Sequence, residues 1–245
     1  MAIIYVDNVL PETSGVAENL NLGTTGDSVT IPTGATLKTN KIFDAGGNNV
    51  ITSDGSGNLT VNSGMTGDVV PLQTQTISSA VANITFSDTY ITSTYLIYCF
   101  KWVNVRPVTD NTSLQFQMST DGTNYNLSIT AGVHASWIDD SGGNLSLGYS
   151  QGSRQGAGTS FQNLCYNLGN DTEAHCSGEL WLIRGASTAF QHHFWSTAAW
   201  RTEDNYAFNG GMHGAQDPPV AINHLRFQQS SGNLAAGKFT VYGWK

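Results

Sequence analysis

The sequence predicts an all-β protein, in which a short-stranded N-terminal shaft or collar precedes an antiparallel, jelly-roll-like β-sandwich. Segments that alternate apolar and polar residues recur along the C-terminal part and are separated by Gly, Asn and Asp turns. No segment carries a sustained helical stripe of apolar residues. Charged residues make up 11% of the 245 residues, against about 25% in typical soluble domains. A neutral, hydroxyl-rich and amide-rich surface follows.

The first 20 residues are expected to form an attachment arm. An apolar stretch at residues 2–6 is followed by sequence without a periodicity that would fix a fold. An apolar stretch of this kind needs a partner surface, and the candidate attachment residues are Ile3, Ile4, Tyr5 and Val6. The alternative is that this stretch forms the first strand of the domain that follows.

Residues 21–70 are predicted to form the shaft or collar. They contain very short β-branched or apolar pieces between turn residues, at 28–31, 35–37, 41–43, 50–52 and 59–61. Strands of three or four residues with few large side chains cannot close an independent core, so we expect several copies, as a homotrimer, to share one axis. The alternative is a loose linker that contains hairpins.

Residues 71–245 are predicted to form the β-sandwich head, with the boundary near residues 65–74. The expected strands are at 76–86, 94–105, 114–119, 126–137, 144–149, 161–168, 176–185, 190–201, 221–229 and 237–245. The segment 94–105 is apolar on both faces, which favours a central strand covered on each side. In the last strand Phe239, Val241 and Gly243 share one face. Loops at 150–160 and 202–219 are the expected variable contact surfaces.

The charge pattern disfavours two classes of partner. The net charge is −8, and no run of Lys or Arg is present to follow a phosphate backbone, so nucleic acid is not expected as a partner. No stretch approaches the ~18 apolar residues of a membrane span, so membrane insertion is not expected. The N-terminus lacks the features of a signal peptide, and we expect a soluble chain that is not secreted.

No motif for catalysis is present, and we expect a protein that is not an enzyme, with no cofactor and no metal ion. Cys99, Cys165 and Cys176 form an odd set without a CxxC pair and are predicted to be buried apolar residues. His192 and His193 face opposite sides of a strand, and His192 is predicted to lie in or beside the core. Asp139 and Asp140 are predicted to lie in a solvated turn.

Aromatic residues give the strongest indication of a binding surface. An exposed ring can stack on a sugar while polar side chains hold the sugar hydroxyls. The candidate glycan or partner contacts are Trp137, Arg154, Trp195, Trp200 and Tyr206. The alternative for each tryptophan is a place in the core.

Several stretches resemble virion and tail-fibre proteins of tailed phages, particularly phages of marine bacteria. They are the strand and hairpin at 114–125, the closing run at 222–227, 230–234 and 237–245, and the segments 35–42 and 44–48. The resemblance implies a structural protein of the virion, assembled in the host cytoplasm, commonly trimeric, that binds host glycans or other capsid or tail proteins. We therefore expect a surface fibre, spike or decoration. The alternatives are a capsid cement without a receptor role and a monomeric carbohydrate-binding module.

Overall fold

The computed structural model describes residues 41–43, 49–53, 55–56, 59–61 and 69–245. The chain divides into two compact units, Met1–Asn62 and Ser63–Lys245. The candidate attachment residues Ile3, Ile4, Tyr5 and Val6, and the predicted strands at 28–31 and 35–37, lie outside the described residues. The division into arm, shaft and head stays a prediction.

In the first unit the described residues form an antiparallel three-stranded sheet. Its strands are β1 (Lys41–Phe43), β2 (Asn49–Ser53) and β3 (Leu59–Val61), in that order across the sheet. They match the short pieces predicted at 41–43, 50–52 and 59–61. Ile42 and Phe43 are 41% and 54% exposed, so β1 presents apolar side chains to solvent.

The second unit is built from antiparallel strands. They are β4 (Val69–Ile77), β5 (Asn83–Phe86), β6 (Ile97–Pro107), β7 (Thr112–Ser119), β8 (Ile129–Asp139), β9 (Leu145–Tyr149), β10 (Gln155–Gly158), β11 (Gln162–Leu168), β12 (Cys176–Ile183), β13 (His192–Arg201), β14 (Tyr206–Gln216), β15 (His224–Gln229) and β16 (Leu234–Trp244). A 3-10 turn, Gln151–Ser153, precedes β10. Among the described residues no helix is long and apolar enough to cross a membrane.

These strands form two sheets that pack as a β-sandwich. The nine-stranded sheet has the order β10-β8-β14-β13-β12-β6-β16-β4, and β9 pairs with β8 beside β10; the four-stranded sheet has the order β11-β7-β15-β5. The all-β class and the antiparallel sandwich are therefore confirmed. The jelly-roll winding is not established by this order and stays a prediction.

Aromatic side chains from both sheets fill the space between them. Phe227 of β15 lies 6.0 Å from the ring of Phe100 and 5.1 Å from that of Phe239, measured between centroids. Phe116 of β7 meets Phe194 of β13 edge to face at 5.5 Å. These side chains come from alternate positions of their strands, which is why the period-two pattern of the sequence marks the core.

Two predictions about buried residues are confirmed. Cys99, Cys165 and Cys176 are free and fully buried. In β16, Phe239, Val241 and Gly243 face the core, and β16 is hydrogen-bonded between β6 and β4.

Four strand predictions are corrected. The loop expected at 202–219 contains β14, an interior strand between β13 and β8. The loop expected at 150–160 contains β10, and the single strand expected at 76–86 is two strands, β4 and β5, in different sheets. Strand β6 is central, but it is not covered on both sides, because Val103 is 50% exposed and Lys101 is exposed as well.

Candidate functional site

The candidate site lies on the outer face, which we define as the side of the nine-stranded sheet that points away from the four-stranded sheet. Strand β13 shows how the two sides differ: residues from His192 to Trp200 alternate strictly between buried and exposed. His193, Trp195, Thr197 and Ala199 therefore point outward. No second layer of described residues covers these side chains.

An aromatic cluster occupies one part of the outer face. The rings of Trp181 and Trp195 stack with centroids 5.8 Å apart and an interplanar angle of 8°. Trp244 lies 4.8 Å from Trp181 on the other side, at 50°. Cys99 lies in register between Trp181 and Tyr242 and is fully buried. The tryptophan rings thus cover a small side chain on a face that is otherwise open.

Two adjoining hollows lie beside this cluster. The first, of about 360 Å³, is lined by residues that include His134, Leu147, Trp195, Thr197, Asn209 and His213. The second, of about 390 Å³, is lined by residues that include Lys101, Val103, Ser177, Glu179, Thr197 and Asn209. Because Thr197 and Asn209 line both hollows, we treat them as one feature and call it the trough.

The register of the strands explains the trough. Across β12, β13, β14 and β8, one row of cross-strand neighbours consists of Glu179, Thr197, Gly211 and His134, and the next consists of Ser177, Ala199, Asn209 and Ser136. In the first row the small residues Thr197 and Gly211 lie between the larger Glu179 and His134, and the second row contains no side chain larger than that of Asn209. Gly211 is required at its position because a Cβ there would lie 2.9 Å from the Ser196 carbonyl oxygen and 3.0 Å from His134 Cε1.

The trough is polar but close to neutral. Its two formally charged side chains, Lys101 and Glu179, form an ion pair at 3.5 Å. Glu179 also accepts a hydrogen bond of 2.9 Å from the Trp181 indole N–H, which fixes that ring. Within the described part of the chain, the side chains of Thr197 and Asn209 make no hydrogen bond, so their donors and acceptors are open to a ligand.

The five predicted contact residues do not meet at one place. Trp195 lies in the trough and is 42% exposed. Trp137, Trp200 and Tyr206 surround Phe208, and the Trp137 and Trp200 rings stack on it at 5.5 Å and 5.1 Å. Trp200 is only 4% exposed, and its indole N–H donates to the Tyr166 carbonyl, so it has no free ring face for a ligand.

Arg154 lies apart from these aromatic groups. It lines a separate hollow of about 280 Å³ together with Gln115, Gln155 and Phe161. Of the five predicted contact residues, Trp195 is therefore the one that lines the trough.

Sequence reasoning missed most of the trough. His134, His213, Asn209 and Gly211 lie on β8 and β14, and three of these four come from the segment that was expected to be a loop. Thr197 had a signal in the sequence, because it lies two residues after Trp195 on a strand with clear alternation.

The other candidate chemical groups have structural partners. His192 is fully buried, as predicted, and its Nε2 lies 2.7 Å from the Val220 carbonyl oxygen. Asp139 accepts hydrogen bonds from Ser141, Gly143 and Asn144 within its own hairpin, and Asp140 pairs with Arg201 at 2.6 Å. Among the described residues no group of three or more His, Cys, Asp or Glu lies in a position to hold a metal ion.

Strand β9 ends the outer face with an apolar edge. Leu145, Leu147 and Tyr149 are 74%, 75% and 76% exposed, and they are cross-strand neighbours of Ile138, Ser136 and His134 on β8. Leu147 also lines the trough, so the trough continues to this edge of the sheet.

Comparison of the chain with protein-family models, with curated proteins and with solved structures gives no match.

Proposed function

We propose that the protein is a structural component of a tailed-phage virion, a surface fibre, spike or decoration without enzymatic activity. It attaches through its N-terminal part, associates as a homotrimer and presents the sandwich for contact with glycan on a host surface. The observation that carries the glycan contact is the open, nearly neutral outer face, where Trp195 stands beside the unpaired hydrogen-bonding groups of Thr197 and Asn209.

Two further observations support the assembly. The described strands of the first unit are three to five residues long, and β1 exposes Ile42 and Phe43. A sheet this small buries little apolar surface by itself, and neighbouring copies would cover what it exposes. The resemblance of the sequence to phage fibre proteins points in the same direction.

A monomeric carbohydrate-binding module is the second candidate. It is favoured by the core of the sandwich, whose buried cluster runs from Ile77 to Val241 and is contained in the second unit. A domain with its own core has no need of residues 1–62 to fold.

The mass of the particle in solution separates the two candidates. For a fibre, light scattering of the full chain is expected to give three times the chain mass of 26.2 kDa, and a fragment of residues 63–245 is expected to be monomeric. For a module, both proteins are expected to be monomers. A monomeric full chain at micromolar concentration would overturn the fibre proposal.

A further inference from the structure

We propose that the trough binds an unbranched segment of a neutral polysaccharide, which lies across the strands and stacks one sugar ring on Trp195. This inference rests on the glycan contact of the proposed function and gives it a position, an orientation and a ligand charge.

The dimensions of the trough favour an extended chain over a single small molecule. The two rows that line it are two residues apart along each strand, which corresponds to about 6.6 Å. It runs from Lys101 on β6 across β12, β13, β14 and β8 to Leu147 on β9. Five strand spacings of about 4.8 Å give a length of roughly 24 Å, enough for several linked sugar rings in a row.

Its walls offer the two kinds of contact that a sugar ring needs. The Trp195 ring is held by stacking against Trp181, so little conformational entropy is lost when a ligand packs on its exposed surface. Thr197 and Asn209 lie between the two hollows and supply a hydroxyl and an amide, each able to donate and to accept a hydrogen bond. Gly211 leaves the floor open in front of His134.

The charge of the trough selects a neutral ligand. Lys101 and Glu179 pair with each other at 3.5 Å, so their charges offset each other and the trough offers no uncompensated charge to a carboxylate, a sulfate or an ammonium group. An acidic polysaccharide would also be repelled by the net charge of −8. A neutral polysaccharide needs no charged partner and is not repelled by the net charge.

Affinity electrophoresis of the full chain tests this site, with gels that contain dextran, xylan or mannan as neutral polymers and alginate as the acidic counterpart. We expect at least one neutral polymer to retard the protein and alginate not to retard it. Trp195→Ala and Asn209→Ala are expected to weaken the retardation by tenfold or more, and Thr197→Trp to abolish it by filling the trough.

Phe190→Ala is the matched control, because Phe190 is an aromatic side chain that is 55% exposed and lines a different hollow with Arg184 and Tyr95. Its binding should be unchanged. Asn209 is exposed and makes no side-chain hydrogen bond to the described residues, so its variant reports on the site even where loss of Trp195 disturbs the fold.

The site is overturned if no neutral polymer retards the protein, if alginate is bound more tightly than the neutral polymers, or if Asn209→Ala and Thr197→Trp bind like the unmodified chain. The result is independent of the assembly. If the protein is a trimer and binds none of the neutral polymers, the polysaccharide site is wrong and the virion role still stands. If the protein is a monomer and binds through the trough, the fibre proposal is wrong and the polysaccharide site still stands.

Discussion

Two aspartate carboxylates close turns in the same way, one after β7 and one between β8 and β9. The Asp121 carboxylate accepts hydrogen bonds from the backbone N–H groups of Thr123 and Asn124, at 2.8 and 2.7 Å, and from the Asn124 side chain at 2.7 Å. These bonds, above all those from Asn124, hold the pKa of Asp121 well below its usual range. At Asp139 desolvation raises the pKa, but the bonds from Asn144, Ser141 and Gly143 together outweigh it and lower the value.

Replacement of Asp121 by alanine is expected to lower the free energy of unfolding at neutral pH, and to lower it less as the solution becomes acidic. The pKa is depressed in the folded protein relative to about 3.9 in the unfolded chain, so the stabilisation is complete above that value and is lost as the pH falls through the folded pKa. Urea unfolding of both proteins near neutral pH and at about pH 3 measures the difference. A difference independent of pH would contradict the role of the charge.

The environment of the Cys99 thiol is set by side chains of the outer face. Burial raises the pKa of its thiol to about 12, the negative charge of Glu179 adds to the increase, and Lys101 opposes it. Since the rings of Trp181 and Trp244 cover this position, the thiol is protected by side chains and not by a second sheet.

Trp244→Ala is expected to make Cys99 react with a thiol reagent, because water then reaches the sulfur and its pKa falls towards the ordinary value. Peptide mapping by mass spectrometry after alkylation identifies the labelled cysteine. Trp195→Ala is the matched control, since Trp195 stacks on the other side of Trp181 and should leave Cys99 unlabelled. Equal labelling in the two variants would show that Trp244 is not the cover.

At the level of elements, β14 shows where sequence patterns lose their power. Its residues, Tyr206–Gln216, include three glycines and no β-branched residue, so it has the composition of a loop. The structure gives the reason: a Cβ at Gly214 would lie 2.6 Å from the Phe194 ring and 2.5 Å from the Thr130 carbonyl oxygen. Large side chains of neighbouring strands occupy the space that side chains of β14 would fill.

Strands with large alternating side chains could be predicted from the sequence. Strands with small residues, which pack against the large side chains of neighbouring strands, could not. The alternation at 190–201 predicted β13, and its aromatic side chain made Trp195 a candidate contact. The side-by-side order of β13, β14 and β8 depends on pairings distant in sequence, and no local pattern contains that information. For this reason Trp195 was predicted as a contact, whereas His134 and Asn209 were not.

Gly214→Ala is expected to destabilise the sandwich by about 1–3 kcal/mol, the usual cost of inserting atoms into a packed interior. Gly148→Ala in β9 is the matched control, because the nearest atom to its new Cβ is 3.8 Å away on Trp137. Its effect should stay within about 0.5 kcal/mol. Chemical denaturation measures the free energy of unfolding of both variants, and equal values for the two would refute the packing argument.

At the level of the whole molecule, the two sheets are joined by aromatic packing around Phe227. This residue belongs to the four-stranded sheet, and its ring approaches Phe100, Trp102 and Phe239 of the other sheet at centroid distances of 6.0, 6.0 and 5.1 Å. It is fully buried, so it contacts the opposite sheet without any exposure to water. The sequence predicted this core through its alternation, but not which rings would meet.

Phe227→Ala is expected to destabilise the protein by about 3–5 kcal/mol, because it leaves a cavity between the sheets. Leu145→Ala serves as the control: Leu145 is 74% exposed, and its replacement should change stability by no more than about 0.5 kcal/mol. Thermal unfolding followed by near-UV circular dichroism measures both. A small effect at Phe227 would mean that the two sheets do not depend on this contact.

The pairing of β4 with β16 has a consequence for how the sandwich forms. The hydroxyl groups of Thr74 and Thr240 lie 3.0 Å apart although 166 positions separate them in the chain. Pairings this distant make folding slow, on the order of milliseconds to seconds. Until β16 arrives, the edge of β6 that it will occupy is open to a strand from another molecule. The yield of refolding should therefore fall as the protein concentration rises, because strands of different molecules would pair and aggregate before β16 occupies its place in the sheet.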